Sequence, residues 1–312
     1  MASVDAVGGP AVIGGDPEKA YRSRSLWLDQ LDGSLAPRPS LPGDRDCDVA
    51  IVGAGFTGLW TAYYLATLQP DLRVVVIERE IAGFGPSGRN GGWAIGGLPG
   101  SRSAYRLRDD PDRAARALRA TYDAIDEIAT VTQREQIDCG FVKAGALTIA
   151  TSAPQWRRLQ TRETNAATAS HEEADGRLLS VPETEALVRV PDLHGGRYTP
   201  HAARIDPARL VRALAVACER RGVTIYERTA ASSLEPGQVR CGALSVRAEA
   251  VIRATESYTT QMPGHGRRFL PLYSLMIATA PLEEDVWAQL GWRDGLLVED
   301  RHFLFFYAQR TT

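Results

Sequence analysis

The segment from Asp48 to Glu78 constrains this chain more than any other. An apolar run, Asp48 to Val52, leads into Gly53-Ala54-Gly55-Phe56-Thr57-Gly58, after which Leu59, Ala62, Tyr63, Leu65 and Ala66 recur at helical spacing. A second β-branched run from Arg73 to Ile77 ends in Glu78 and completes a strand, turn, helix and strand of about 30 residues. Parallel strands joined by a crossover helix predict an α/β fold. Each glycine has its own physical task. Gly53 permits the tight turn, Gly55 lets the backbone approach a pyrophosphate, and Gly58 lets the helix pack closely on the sheet. The helix start presents unpaired N–H groups and the positive end of the dipole to a diphosphate. Glu78, at the tip of the second strand, is placed to accept hydrogen bonds from ribose hydroxyls and to repel a 2′-phosphate.

A second stretch, Gly83-Phe84-Gly85-Pro86-Ser87-Gly88, matches the same GxGxxG spacing. It runs into Arg89-Asn90-Gly91-Gly92-Trp93 and not into an amphipathic helix, so it is not a second dinucleotide fold. A backbone-rich loop lying along the remainder of a long cofactor accounts for it better, with Ser87 and Arg89 adding side-chain donors. A flavin dinucleotide uses such a loop; a nicotinamide dinucleotide has no evident need of it.

The rest of the chain narrows the alternatives. At 312 residues, 44% hydrophobic and 24% charged, it has room for two domains or one elaborated α/β unit. A net charge of −2 supplies no field for nucleic acid, so a small molecule is the expected partner. Cys47, Cys139, Cys218 and Cys241 lie far apart with no CxxC pair and no histidine at ligand spacing, which predicts free thiols, no metal and a cytoplasmic protein. No apolar run reaches the length of a membrane span, and the first 30 residues contain no signal-peptide pattern. The stretch before Arg45 reads as a partly ordered arm with an aromatic island at Tyr21 to Leu28. A long helix is expected from near Asp110 with Pro111 at its first position, a helical segment over 153–174, and a helix opened by Asp206-Pro207 and closed by Gly222.

Asp48 to Leu65, Glu78 and the run Gly83 to Trp93 together resemble the FAD-dependent D-amino-acid oxidase/glycine oxidase superfamily, and within it the gamma-glutamylputrescine oxidase branch. The similarity extends to Tyr21-Arg22-Ser23-Arg24-Ser25-Leu26-Trp27-Leu28-Asp29, Tyr198 to Leu210, Gly222 to Glu227, Ala254-Thr255 before Tyr258-Thr259, and Pro271-Leu272-Tyr273-Ser274 before Met276 to Thr279. The resemblance implies a Rossmann-like FAD-binding domain interleaved with a mixed or antiparallel-sheet substrate domain. The expected division is an arm over 1–45, an FAD-binding domain over 46–135 and 203–262, and a substrate domain over 136–202 and 263–312. It further implies that Gly53 to Gly58, with Ala54, Phe56 and Thr57, hold the diphosphate. Glu78 takes the adenosine ribose, Arg79 next to it also binds the cofactor, Ala231 takes the adenine, and Ser87, Gly88, Arg89, Asn90, Gly91 and Gly92 the flavin side, with Ala254 and Thr255 passing under the cofactor. Asn90 and Trp93 are expected to face flavin and substrate, and Tyr258 and Tyr273 to line an amine pocket. Two positions depart from the pattern: Arg253 stands where the family is usually apolar, and Glu256 where it usually has a small or amide residue. Family members also continue past Tyr307-Ala308-Gln309-Arg310, so the chain is expected to be a C-terminally truncated member.

The chemistry implied is oxidation of a C–H bond next to an amine. A hydride equivalent passes to flavin N5, the imine is hydrolysed, and oxygen or another acceptor reoxidises the flavin. No nucleophile or metal is required, which agrees with the absence of GxSxG and HExxH motifs. Two other readings stay open on the sequence: an NAD-dependent dehydrogenase using the same turn, and a cofactor-binding fragment that is inactive or depends on a partner.

Overall fold

The protein is described by a computed structural model covering residues 16–98, 110, 112–167, 176–300, 302 and 304–311. Its contacts divide the chain into one unit of residues 1–90 and 207–276 and another of 91–206 and 277–312.

The first unit is built on a six-stranded sheet whose order in space is Thr224–Tyr226, Val74–Ile77, Arg45–Val52, Leu244–Arg253, Gln238–Cys241 and Ser233–Glu235. The first four strands are parallel and the last two antiparallel. Val74–Ile77 is buried along its whole length, as a central parallel strand requires. The predicted crossover helix spans Phe56–Leu68 and packs on Pro207–Glu219, where the buried Cys218 thiol donates to the Leu59 carbonyl at 3.3 Å. Gly222, with φ +85°, follows that second helix as expected. The arm is more ordered than its composition suggests. It forms the short helices Pro17–Arg22 and Leu26–Asp29, and Tyr21, Trp27, Leu28 and Leu35 are buried with Ile81, Phe84 and Ala208.

The second unit holds a five-stranded mixed sheet in the order Tyr307–Ala308, Leu297–Glu299, Ala146–Ala150, Gly195–Thr199 and Arg177–Leu179, in which only the pairing of Leu297–Glu299 with Ala146–Ala150 is parallel. Trp93–Ile95 pairs antiparallel with Ala202–Arg204. Helix Arg113–Arg134 lies in this unit, not with the cofactor turn where the expected boundary at 135 puts it. Its N-cap is Asp112; the expected Pro111 start falls outside the described residues, as do 168–174 beyond the helix Ala153–Ala167.

Residues 269–282 form no strand. Leu270, Leu272, Leu275 and Ile277 are 83 to 92% exposed, and among the described residues no strand pairs with this run. Among the described residues no helix is long and apolar enough to cross a membrane, no acidic or thiol cluster is arranged for a metal, and all four cysteines are free thiols.

Candidate functional site

The first glycine-rich turn is shaped by near-contacts that exclude side chains. Gly53 has φ +109°, and a Cβ there would lie 2.4 Å from the Ala254 carbonyl oxygen. At Gly58 a Cβ would approach the Gly53 carbonyl oxygen to 1.9 Å. Gly55 is the N-cap of the Phe56–Leu68 helix and provides no side-chain cap; its place is taken by Ser87, whose hydroxyl accepts from the Phe56 N–H at 2.9 Å. Thr57 is exposed on the first turn of this helix.

The second glycine-rich loop is stitched to the first. The Gly83 N–H donates to the Ala54 carbonyl at 3.0 Å, while Ser87 returns the contact at Phe56. Pro86–Gly88 is one 3₁₀ turn, with Gly88 against the Gly83 carbonyl. Glu78 joins both segments, since its carboxylate accepts from the Ala54 N–H at 2.8 Å and the Glu80 N–H at 2.9 Å. Burial pushes the Glu78 carboxyl above its ordinary range, against the pull of these two N–H groups.

The other expected cofactor residues of the first unit fall around this pair of loops. Ala254 donates its N–H to the Val52 carbonyl at 2.8 Å and presents its own carbonyl to Gly53. The Thr255 hydroxyl is engaged with Thr259 at 2.7 Å. Ala231 packs against the core cluster that contains Leu41, Val52 and Tyr226. Of the two departing positions, Arg253 is exposed beside His265, and Glu256 adopts φ +45°, a left-handed conformation costly for a residue with a Cβ.

The two residues expected to line an amine pocket are Tyr258 and Tyr273. Tyr258 packs by the second loop, with the Arg79 guanidinium 5.2 Å from its ring centroid and the Arg89 guanidinium donating to its hydroxyl at 3.1 Å. Arg79 in turn donates to Gln261. Tyr273 is 71% exposed in the unpaired 269–282 run. Asn90 uses its amide to donate to the Pro86 and Ser87 carbonyls at 3.1 and 3.0 Å, closing the 3₁₀ turn.

In the second unit Gly91 and Gly92 lie close to Tyr307 and Gln309. A Cβ on Gly91 would reach the Tyr307 ring at 2.4 Å, and one on Gly92 would reach the Ile205 carbonyl at the same distance. Trp93 meets Tyr307 edge to face at 5.3 Å between centroids. The Gln309 amide donates to the Gly91 carbonyl at 2.5 Å. Among the described residues, Trp93 Nε1 and Gln309 Oε1 are buried without a hydrogen-bond partner, a state that costs about 1–3 kcal/mol for each group. Reasoning from sequence selects Trp93 and misses Gln309, because a lone glutamine near a chain terminus carries no local signal.

Several known proteins are similar to this chain in sequence or in fold. The chain is 29% identical over 296 residues to the probable oxidoreductase OrdL of Haemophilus influenzae, covering 91% of this chain and 67% of that one. It is 29% identical over 284 residues to the gamma-glutamylputrescine oxidoreductase of Escherichia coli, covering 88% and 65%. It therefore spans about two thirds of the length of these relatives. Among solved structures it resembles glycine oxidase from Geobacillus kaustophilus, with a TM-score of 0.53 and 24% identity over 67% of this chain and 55% of that one. It also resembles L-proline dehydrogenase from P. horikoshii, with a TM-score of 0.58 and 14% identity over 86% and 68%. The nicotinamide reading of the Gly53 to Gly58 turn is overturned by a match over residues 48–312: the chain belongs to the family of FAD-dependent oxidoreductases known as DAO.

Proposed function

We propose that this chain holds FAD on its two interlocked glycine-rich loops and serves the oxidation of a C–H bond next to an amine, in the manner of gamma-glutamylputrescine oxidoreductase. The observation that carries the reading is the start of the Phe56–Leu68 helix, which opens on Gly55 with no side chain of its own and lies against the second glycine-rich loop through Ser87. Such a surface fits a diphosphate, since phosphate oxygens need N–H groups at close range and no intervening Cβ. Gly53, Ala54, Gly55, Phe56, Thr57 and Gly58 hold the diphosphate. Glu78, with two acceptor sites left after its backbone bonds, takes the ribose hydroxyls. Arg79, Ala231, Ala254 and Thr255 complete the adenosine side. Ser87, Gly88, Arg89, Asn90, Gly91 and Gly92 serve the flavin side.

When bound, FAD supplies a two-electron acceptor, and oxygen or another acceptor regenerates it. The chain's own task is orientation and exclusion of water. The unpaired donor of Trp93 and the unpaired acceptor of Gln309 are the polar groups best suited to hold an amine substrate.

The visible spectrum tests the reading. Purified protein that shows flavin absorption, bleached by gamma-glutamylputrescine or another amine, supports it; protein that binds no flavin removes it. A second reading, favoured by the exposed run 269–282, is that this length of chain binds FAD without turning over an amine. Flavin bound but bleached by no amine selects that alternative.

A further inference from the structure

The N-terminal arm meets the second glycine-rich loop at Phe84 and Asn90 and braces the residues that lead into it at Glu80 and Ala82. The buried Tyr21 hydroxyl donates to the Glu80 carboxylate at 3.2 Å, and Arg228 donates to both groups at 3.0 and 3.1 Å. The Tyr21 ring meets Phe84 edge to face, with centroids 5.9 Å apart. The Trp27 indole N–H donates to the Asn90 carbonyl at 2.8 Å. Between these, the wholly buried Glu227 accepts from the Ala82 N–H at 2.8 Å, and it is held there by the Arg38 N–H at 2.7 Å and the Arg38 guanidinium at 2.9 Å.

Two of these bonds end on backbone, which separates them from ordinary tethering. A planar trans peptide fixes its N–H once its carbonyl is fixed. Trp27 therefore sets the direction of the N–H that follows Asn90, and Glu227 sets the Ile81–Ala82 peptide, one residue before Gly83. From the helix face, Ser87 and Gly83 take the opposite contacts at Phe56 and Ala54. The loop is thus gripped from both sides.

We infer that Tyr21, Trp27 and Arg38 of the arm act as a clamp of positioning residues that sets the second glycine-rich loop for its cofactor. The inference rests on the FAD reading above and adds to it an element far from the glycine motif in sequence. Loss of one such bond weakens FAD binding by about tenfold, the worth of a single buried hydrogen bond.

The test uses the 312-residue chain stripped of flavin and titrated with FAD, read by quenching of flavin fluorescence and by visible circular dichroism of the bound flavin. Trp27→Phe keeps an aromatic ring and deletes the indole donor; it is expected to bind FAD about tenfold more weakly and with an altered dichroism band. Tyr21→Phe, which removes only the hydroxyl facing Glu80, is expected to shift both readouts in the same direction and decides the matter if Trp27→Phe does not fold. Ser25→Ala removes the hydroxyl that caps the second arm helix and makes no loop contact of this kind. It is expected to lower the melting temperature and leave the FAD affinity unchanged. Unaltered affinity and dichroism in Trp27→Phe and Tyr21→Phe would overturn the clamp, as would an equal loss in Ser25→Ala. A wild-type chain that binds no FAD would instead remove the reading beneath it.

Discussion

An added Cβ would lie 1.9 Å from the Gly53 carbonyl oxygen at Gly58, and 2.1 Å from the Gly83 carbonyl oxygen at Gly88. The two glycine-rich loops share this internal closure, and both open on a glycine with positive φ, +109° and +82°. Their continuations differ. The first runs into a helix of 13 residues between parallel strands, while the second stops after a 3₁₀ turn of three residues. The spacing G-x-G-x-x-G therefore encodes a compact turn whose ends meet, and the flanking pattern decides whether that turn starts a crossover helix. Here one copy serves as the partner of the other.

Substitution at the closing glycines attacks the shared feature and carries the largest expected effect. Gly58→Val places its Cβ against the Gly53 carbonyl and near Ile51, with no flexible group to yield. A loss of about 4 kcal/mol or more is expected, seen as a collapsed urea midpoint or insoluble protein. Gly88→Ala should cost about 2–4 kcal/mol by the same mechanism. A neutral Gly88→Ala would show that the second loop closes by accident of its neighbours and would break the parallel.

Gly55→Leu addresses function directly. Its side chain would enter the space between the first turn and Ser87, whose hydroxyl stands 2.8 Å from the Cβ position. The variant is expected to retain no FAD on purification; normal flavin content would remove Gly53 to Gly58 as the diphosphate site.

Ser87→Ala probes the stitch between the loops. It deprives the Phe56 N–H of its acceptor and should lower stability by about 1 kcal/mol. Once the hydroxyl is gone, the nearest atom to a Cβ on Gly55 is the Ser87 Cβ at 3.7 Å, so Gly55→Ala should cost less in the Ser87→Ala background. A double-mutant cycle with no coupling would show the two loops to be independent.

The effect of pH is smaller. Because burial raises the Glu78 carboxyl, the folded chain holds that proton more tightly than the unfolded chain does. Its contribution therefore favours the fold at low pH and is lost as pH rises from the ordinary carboxyl range through the raised value. Glu78→Gln should flatten this part of the stability curve; a slope equal to wild type would place the titrating group elsewhere. Smallest of all, Glu256→Gly should stabilise by up to about 1 kcal/mol, because only the left-handed backbone at φ +45° is at issue. A net loss there would mean that the Glu256 side chain makes contacts worth more than the strain.

Local order made the first loop readable. The strand before it, the glycines and the apolar helical run after it all lie within one stretch of sequence, and the structure follows them closely. What eluded sequence reasoning is carried by distance. Tyr21 meets Glu80 across 59 residues, and Arg38 meets Glu227 across 189, so the arm's composition gives no hint of its contacts. Tyr258 is held beside the second loop by Arg79 and by Arg89, the latter 169 residues away in sequence. Residues 271–279 carry the apolar side chains of a strand, but a strand requires a neighbour that their own sequence does not supply.

One pairing also sets the order in which the site can come into being. Arg45–Val52 lies beside Leu244–Arg253, and Asp46 bonds to Arg247 across 201 residues. During synthesis, both glycine-rich loops and the arm leave the ribosome long before the strand that carries Ala254 and the tyrosine beyond it. At about 5–20 residues per second, the delay between residue 90 and residue 258 is roughly ten to thirty seconds. For that interval the nascent chain holds the first glycine-rich turn without the Ala254 carbonyl that closes on Gly53.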